Sequence, residues 1–231
     1  MSNICMITAR GGSKRIPKKN IVDFHGKPLI AYSIENALDS GIFDEVIVSS
    51  DDEEILNIAL KFKAKIFKRD KYADDISSST KAAIYTLKSL LQNGKNVKNL
   101  CLLYPTAPLI NAKILKEAYD KFIKDKSLFL FAATEFEYPI QRSFKLDENS
   151  KVKMFDEKYY YKRSQDLEKA YHDAGAFYFG TKNAWLEKDF LFKQYSTVYI
   201  LPRNLVCDID TKEDLDFAKA LFEINLKAKN K

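Results

Sequence analysis

Through the first half of the chain, short continuous apolar runs alternate with amphipathic stretches of helical period. This alternation limits the fold more than any other feature. Ile4 to Ala9 reads as a buried strand and Glu45 to Ser49 as a second. Lys65 to Phe67 is a short third, followed by Asn99 to Tyr104 and Leu128 to Thr134. Between them the spacing predicts helices over Pro28 to Ser40, Glu53 to Phe62, Ser77 to Gln92 and Ala112 to Lys124. Pro28 suits a first turn and Gly41 a C-terminal cap, and Ser50 or Asp51 is expected to cap the second helix. Strands joined by helices build βαβ units, so the expected fold class is α/β, a mostly parallel sheet flanked by helices. Runs that are apolar throughout, rather than at alternate positions, fit burial on both faces.

The pattern then breaks. Tyr138 to His172 is aromatic and charged, with poor periodicity, and reads as an insertion. Regular structure is expected again at Ala176 to Phe179, in a short helix near Asn183 to Lys188, and in a strand at Val198 to Leu201. A terminal helix over Lys212 to Leu226 follows, with a frayed tail beyond it. With only 7 Gly and 6 Pro there is little room for flexible linkers, so residues 1–231 read as one domain that includes the insertion 138–172.

Composition removes several classes. Hydrophobic residues at 46% and charged residues at 30% exclude a disordered or fibrous chain. The 3 cysteines, Cys5, Cys101 and Cys207, have no zinc or disulfide spacing and read as free thiols in a reducing compartment. No apolar run approaches the ~20 residues of a membrane span, and Met1-Ser2-Asn3 leads directly into a strand pattern. The expectation is a cytoplasmic protein with no membrane partner.

The densest chemistry follows the first strand, in Ala9-Arg-Gly-Gly-Ser-Lys-Arg-Ile-Pro-Lys-Lys-Asn20. In α/β sheets, ligands bind off the carboxyl ends of the strands. Gly11 and Gly12 would let backbone N–H groups converge on an anion, and Arg10, Lys14, Arg15, Lys18 and Lys19 supply the charge a triphosphate needs. The run is neither a Walker A loop nor G-x-G-x-x-G. A solvated basic loop or a nucleic-acid patch is the competing reading, and the net charge of +6 is too mild to favour nucleic acid.

Near the other end, Asp208 and Asp210 point the same way if their segment is extended. Two such carboxylates suit Mg²⁺ beside substrate phosphates. Alternatively, Asp210 with Glu213 resembles a capping box. Ser77 to Thr80 reads as a helix cap whose hydroxyls could also reach a ribose or base. Tyr104-Pro-Thr-Ala-Pro108 reads as a rigid pocket wall. The aromatic run Tyr159 to Tyr161 suits an interface better than a base-stacking platform.

The basic loop resembles the signature of the CMP-sialic acid synthetases, the nonulosonate cytidylyltransferases. The resemblance continues in order through Gly26-Lys-Pro-Leu29, Val48-Ser-Ser-Asp-Asp52, Arg69, Ser79-Thr80, Pro105-Thr-Ala-Pro108 and Asp208-Ile-Asp210. Within that family the chain looks most like the pseudaminic acid cytidylyltransferases, through Tyr138-Pro-Ile-Gln-Arg142, Arg163-Ser-Gln-Asp-Leu167 and Tyr171-His-Asp-Ala-Gly175. The neuraminate enzymes usually carry Gln-Pro-Thr-Ser-Pro-Leu-Arg where this chain has Tyr104 to Ile110, and Arg-Pro-Asn-Gly where it has His172 to Gly175.

The resemblance implies a Rossmann-like nucleotidyltransferase fold, a homodimer whose insertion reaches the partner's site, and CTP and a nine-carbon sugar acid as substrates. It implies phosphate binding by Arg10, Gly11, Gly12, Ser13 and Lys14, and a cytidine pocket lined by Asn20, Arg69 and Thr80. Arg10, Lys19 and Asp210 would carry catalysis, with Mg²⁺ on Asp208 and Asp210. Tyr104, Gln141, Arg142, Arg163, His172 and Asp173 would face the sugar acid. Pseudaminic acid is expected, with N-acetylneuraminate, legionaminate and 3-deoxy-octulosonate as alternatives. Non-catalytic nucleic-acid binding is the remote one.

Overall fold

The computed structural model describes residues 1–74, 77–188 and 191–229. The chain begins with β1 (Ser2–Thr8), a small hairpin of β2 (Asp23–Phe24) and β3 (Lys27–Pro28), and α1 (Leu29–Asp39). Next come β4 (Glu45–Ser50), α2 (Glu53–Lys61), β5 (Lys65–Lys68), α3 (Ser79–Gln92) and β6 (Val97–Leu103). They are followed by α4 (Ala112–Asp125), β7 (Phe129–Glu135), and a second hairpin of β8 (Phe144–Leu146) and β9 (Val152–Met154). The chain closes with β10 (Tyr171–Thr181), α5 (Lys182–Glu187), β11 (Ser196–Ile200) and α6 (Lys212–Lys229).

Seven strands form one sheet in the order β11-β7-β10-β6-β1-β4-β5. All neighbours run parallel except β10, which is antiparallel to both β6 and β7. Alternate residues of β1 enter two cores. Cys5 and Ile7 pack with Ile30 and Ile34 of α1, Ile55 of α2 and Leu115 of α4. Ile4 and Met6 pack on the other face with Leu87 of α3 and Trp185 of α5. Burial on both faces is why the strands are apolar throughout.

A third cluster matters most for the site. Ile16 of the basic loop, Phe24, Leu29 and Tyr32 are buried together with Ile209, Leu215 and Ala218. Phe222 of α6 stacks on His25 and meets Phe24 and Tyr32 edge-on. This apolar contact brings the C-terminal segment against the N-terminal loop.

Three local expectations are corrected. Asp52, not Ser50 or Asp51, caps α2, accepting from the N–H groups of Glu54 at 2.8 Å and Ile55 at 3.1 Å. The Ser50 hydroxyl accepts from Asp52 N–H instead, and Asp51 turns toward Gly11 and Arg69. The strand expected at Ala176 to Phe179 begins at Tyr171, so Tyr171 and His172 belong to the sheet rather than to the insertion. Helix α6 continues past Leu226 to Lys229.

Candidate active site

The carboxyl ends of β1, β5 and β6 open onto a cleft of about 610 Å³. Arg10, Ser13, Lys14, Arg15, Lys19 and Asn20 line one wall. Arg69, Tyr72, Ser77, Ser78, Ser79 and Ala82 line another, and Tyr104, Pro105, Thr106, Asp208 and Asp210 complete it.

The loop is held by its own side chains. Asn20 is buried, and its Nδ2 donates to the Arg10 carbonyl at 2.9 Å, closing the loop on itself. Lys18 is left-handed at φ 53 and pairs with Glu54, so it does not join the other cations in the cleft. Gly11 has a different use from the one expected. Its N–H points to Asp51 Oδ1 at 3.3 Å, and a Cβ there would lie 2.4 Å from Asp52 Oδ2. Close approach to the cap of α2 therefore demands glycine. Neither Gly11 nor Gly12 lines the cleft.

Arg69 is only 4% exposed. One guanidinium nitrogen donates to the Ser49 carbonyl, and the other reaches the Ala9 carbonyl at 3.3 Å and Asp51 at 3.7 Å. Burial lowers its pKa, with Asp51 opposing. Its Nε has no partner, nor does the Oγ1 of Thr8, which also borders the cleft. Buried donors and acceptors without partners are costly, so both atoms suit a polar ligand. Thr80 does not line the cleft. Ser79 and Ala82, one helical turn apart, face it instead.

On the opposite side, Ile209 is fully buried and Asp208 and Asp210 flank it. Asp210 Oδ1 accepts from Arg15 at 2.8 Å and Lys19 at 3.1 Å, and Lys19 also donates to the Ile209 carbonyl at 2.6 Å. The capping of α6 falls to Thr211 and Asp214, which bond each other's backbone N–H groups at 2.7 and 3.3 Å. The expected pairing of Asp210 with Glu213 is not made, and Asp210 faces the loop cations. The Asp208 carboxyl is pushed up by partial burial, then by Asp210, with Asp173 and Asp214 adding and Lys19 opposing. That crowding of negative charge calls for a cation. Among the described residues no group of three or more His, Cys, Asp or Glu can cage a metal. Two hard oxygen donors in one cleft with the loop cations fit Mg²⁺, which is usually held by one or two carboxylates plus substrate.

The residues expected to face the sugar divide. Tyr104 lines the cleft, and Asp173 lies just behind it, accepting from Tyr178 at 2.7 Å and Gly175 N–H at 2.9 Å. Arg142 and His172 line a separate open groove of about 620 Å³ with Phe136, Tyr138 and Ile140. Gln141 donates to the Glu168 carbonyl at 2.8 Å, and Arg163 pairs with Asp166 at 2.9 Å, outside both. Tyr72 and Thr8 also line the cleft, although no motif marks them. Position was the available signal for both, since each follows or ends a strand at the ligand-binding edge of the sheet.

A family model described as Cytidylyltransferase matches residues 4–228. A protein named pseudaminic acid cytidylyltransferase from Campylobacter jejuni subsp. jejuni serotype O:23/36 (strain 81-176) is 65% identical over 227 residues, 97% of this chain and 98% of that one. An N-acylneuraminate cytidylyltransferase of Escherichia coli O18:K1:H7 (strain RS218 / NMEC) is 31% identical over 93% of this chain and 51% of its own. Among solved structures, CMP:2-keto-3-deoxy-manno-octonic acid synthetase complexed with CTP superposes with a TM-score of 0.70. It has 17% identity and covers 97% of this chain and 100% of its own.

Proposed function

The chain belongs to the cytidylyltransferase family, and we propose that it joins CTP to pseudaminic acid, giving the CMP-sugar and pyrophosphate. The observation that carries this reading is one cleft in which Arg10, Lys14 and Lys19 meet Asp208 and Asp210. The anomeric hydroxyl of the acid attacks the α-phosphorus in line. A phosphorus–oxygen bond forms there, the hydroxyl proton is lost to solvent, the bond to the bridging oxygen of the β-phosphate breaks, and pyrophosphate leaves. Positioning and charge neutralisation supply most of the acceleration.

Arg10, Ser13 and Lys14 hold the phosphates. Asn20 acts through the Arg10 carbonyl to keep the loop closed. Lys19, already beside Asp210, meets the charge that builds at the α-phosphoryl group and on the leaving oxygen. Arg69 and Ser79 receive the nucleoside, with the free Nε of Arg69 as a ready donor. Asp208 and Asp210 would hold Mg²⁺, which polarises the α-phosphoryl oxygen when bound. Tyr104 and Asp173 border the place left for the acid.

The chain works as a homodimer in this reading. Gln141, Arg142, Arg163 and His172 lie outside their own cleft, which suits residues that serve a partner's. The same segment exposes Phe144, Leu146, Val152, Phe155 and Tyr161, an apolar surface that association would cover. We place the protein in the cytoplasm, where Cys5, Cys101 and Cys207 stay free thiols. Among the described residues, no helix is long and apolar enough to cross a membrane.

Pyrophosphate release with CTP, Mg²⁺ and a panel of nonulosonic acids tests the reading. Release with pseudaminic acid and little with N-acetylneuraminate is expected. The opposite order overturns the substrate, and no release with any acid overturns the reaction.

A further inference from the structure

Ser49, next to the last residue of β4, and Thr86, in the middle of α3, are both fully buried, and neither lines the cleft. Their side-chain oxygens lie 2.8 Å apart. A buried hydroxyl is costly without a partner, and packing alone would be served by Ala and Val. The pair therefore needs an account beyond the core.

The direction of the bonds follows from the partners. Each hydroxyl has one hydrogen. Thr86 gives its own to the Ala82 carbonyl at 3.0 Å, an atom that can only accept. Ser49 then donates to Thr86. Ser49 Oγ in turn accepts from Arg69 Nη1 at 3.4 Å, a nitrogen that also donates to the Ser49 carbonyl. Arg69 is thus tied to α3 through a single strand residue. Ser79, Ala82 and Thr86 stand at i, i+3 and i+7, on one stripe of the helix. The first two line the cleft with Arg69, and the third carries the tie beneath them.

We propose that the Ser49–Thr86 hydroxyl pair positions Arg69 against α3 and so sets the width of the slot that receives the nucleoside. The inference rests on the reading of Arg69 and Ser79 as the nucleoside side of the site. Ser49 and Thr86 are positioning residues, acting through Arg69 and the α3 wall.

The experiment measures the Kd for CTP by calorimetry, and KM for pseudaminic acid at saturating CTP. The proteins are the wild type, Thr86→Val, Thr86→Ser, Ser49→Ala and the double variant Ser49→Ala with Thr86→Val. Thr86→Val keeps the shape and strands the Ser49 hydrogen, and the Kd for CTP is expected to rise about tenfold. KM for the acid stays within about twofold, a split that general destabilisation does not produce. Thr86→Ser keeps the hydroxyl and is expected to bind CTP within about twofold of the wild type. Because both substitutions remove the same bond, the double variant falls well short of the product of the single effects. Ser49→Ala, the smaller change, carries the expectation if Thr86→Val does not fold. An unchanged Kd for CTP, an equal rise in KM for the acid, or a Thr86→Ser protein as impaired as Thr86→Val overturns the proposal alone. A wild-type protein that binds no CTP overturns the nucleoside reading, and the role of the pair with it.

Discussion

Lys19 Nζ lies 3.1 Å from Asp210 Oδ1 and 2.6 Å from the Ile209 carbonyl, although 191 and 190 residues separate them in the chain. The contact joins the basic loop to the acidic segment, where the proposed reaction puts the α-phosphoryl group. Lys19→Ala removes the cation that faces both, and kcat is expected to fall about 10²–10³-fold. Initial rates of pyrophosphate release at saturating CTP check this. A fall of less than about tenfold would move the principal cation elsewhere.

Asp208 carries the opposite trade. Its carboxyl binds a proton more tightly folded than unfolded, because partial burial and then Asp210 raise its pKa. Stability therefore falls as pH climbs from the ordinary carboxylate range through the raised value, and the penalty is complete above it. Asp208→Asn is expected to raise Tm at neutral pH while abolishing turnover. The gain shrinks in high salt, since the residue opens to solvent in the cleft, and vanishes below the ordinary carboxylate range. Calorimetry across pH reads this directly, and an equal or lower Tm at neutral pH would refute it.

Gly180 marks a packing limit. A Cβ there would lie 2.6 Å from the Phe129 ring and 2.6 Å from Trp185 Nε1, which donates to the Leu100 carbonyl at 3.0 Å. Gly180→Ala forces those rings apart and is expected to cost about 1–3 kcal/mol. Urea unfolding measures it. Gly180 pairs with Leu100 midway along β6, away from the carboxyl ends of the strands where the cleft opens, so KM for CTP should not move.

The insertion offers the test of assembly. Phe144 and Val152 are exposed on the β8–β9 hairpin. Replacing both with Asp puts charge on the surface assigned to the dimer, and light scattering should show the mass of one chain instead of two. An unchanged dimer would place the interface elsewhere.

Much of the βαβ half was legible because its signals are local. Gly41, at φ +65 just after the Ser40 cap, ends α1 as expected. The strands were found because burial on both faces leaves continuous apolar runs. Cap identity was less legible, since Ser50, Asp51 and Asp52 are all competent, and the choice fell to the contacts Asp51 makes with Gly11 and Arg69. Thr80 and Ser79 are both hydroxyl residues at the start of one helix, and only the facing of α3 separates them.

The α/β alternation, the cationic loop after the first strand and the carboxylate pair near the other end are written in the chain itself, because each is a matter of residue type and short spacing. That β10 runs antiparallel between β6 and β7, setting Asp173 and Tyr178 behind the cleft wall, came from the tertiary fold. It also decided that Ile16 and Ile209 share one apolar cluster, which sets Asp210 against Lys19. Neither relation has a local signature. Both arise from burial of apolar surface between segments far apart in the chain, where many pairings satisfy the same pattern and packing selects one.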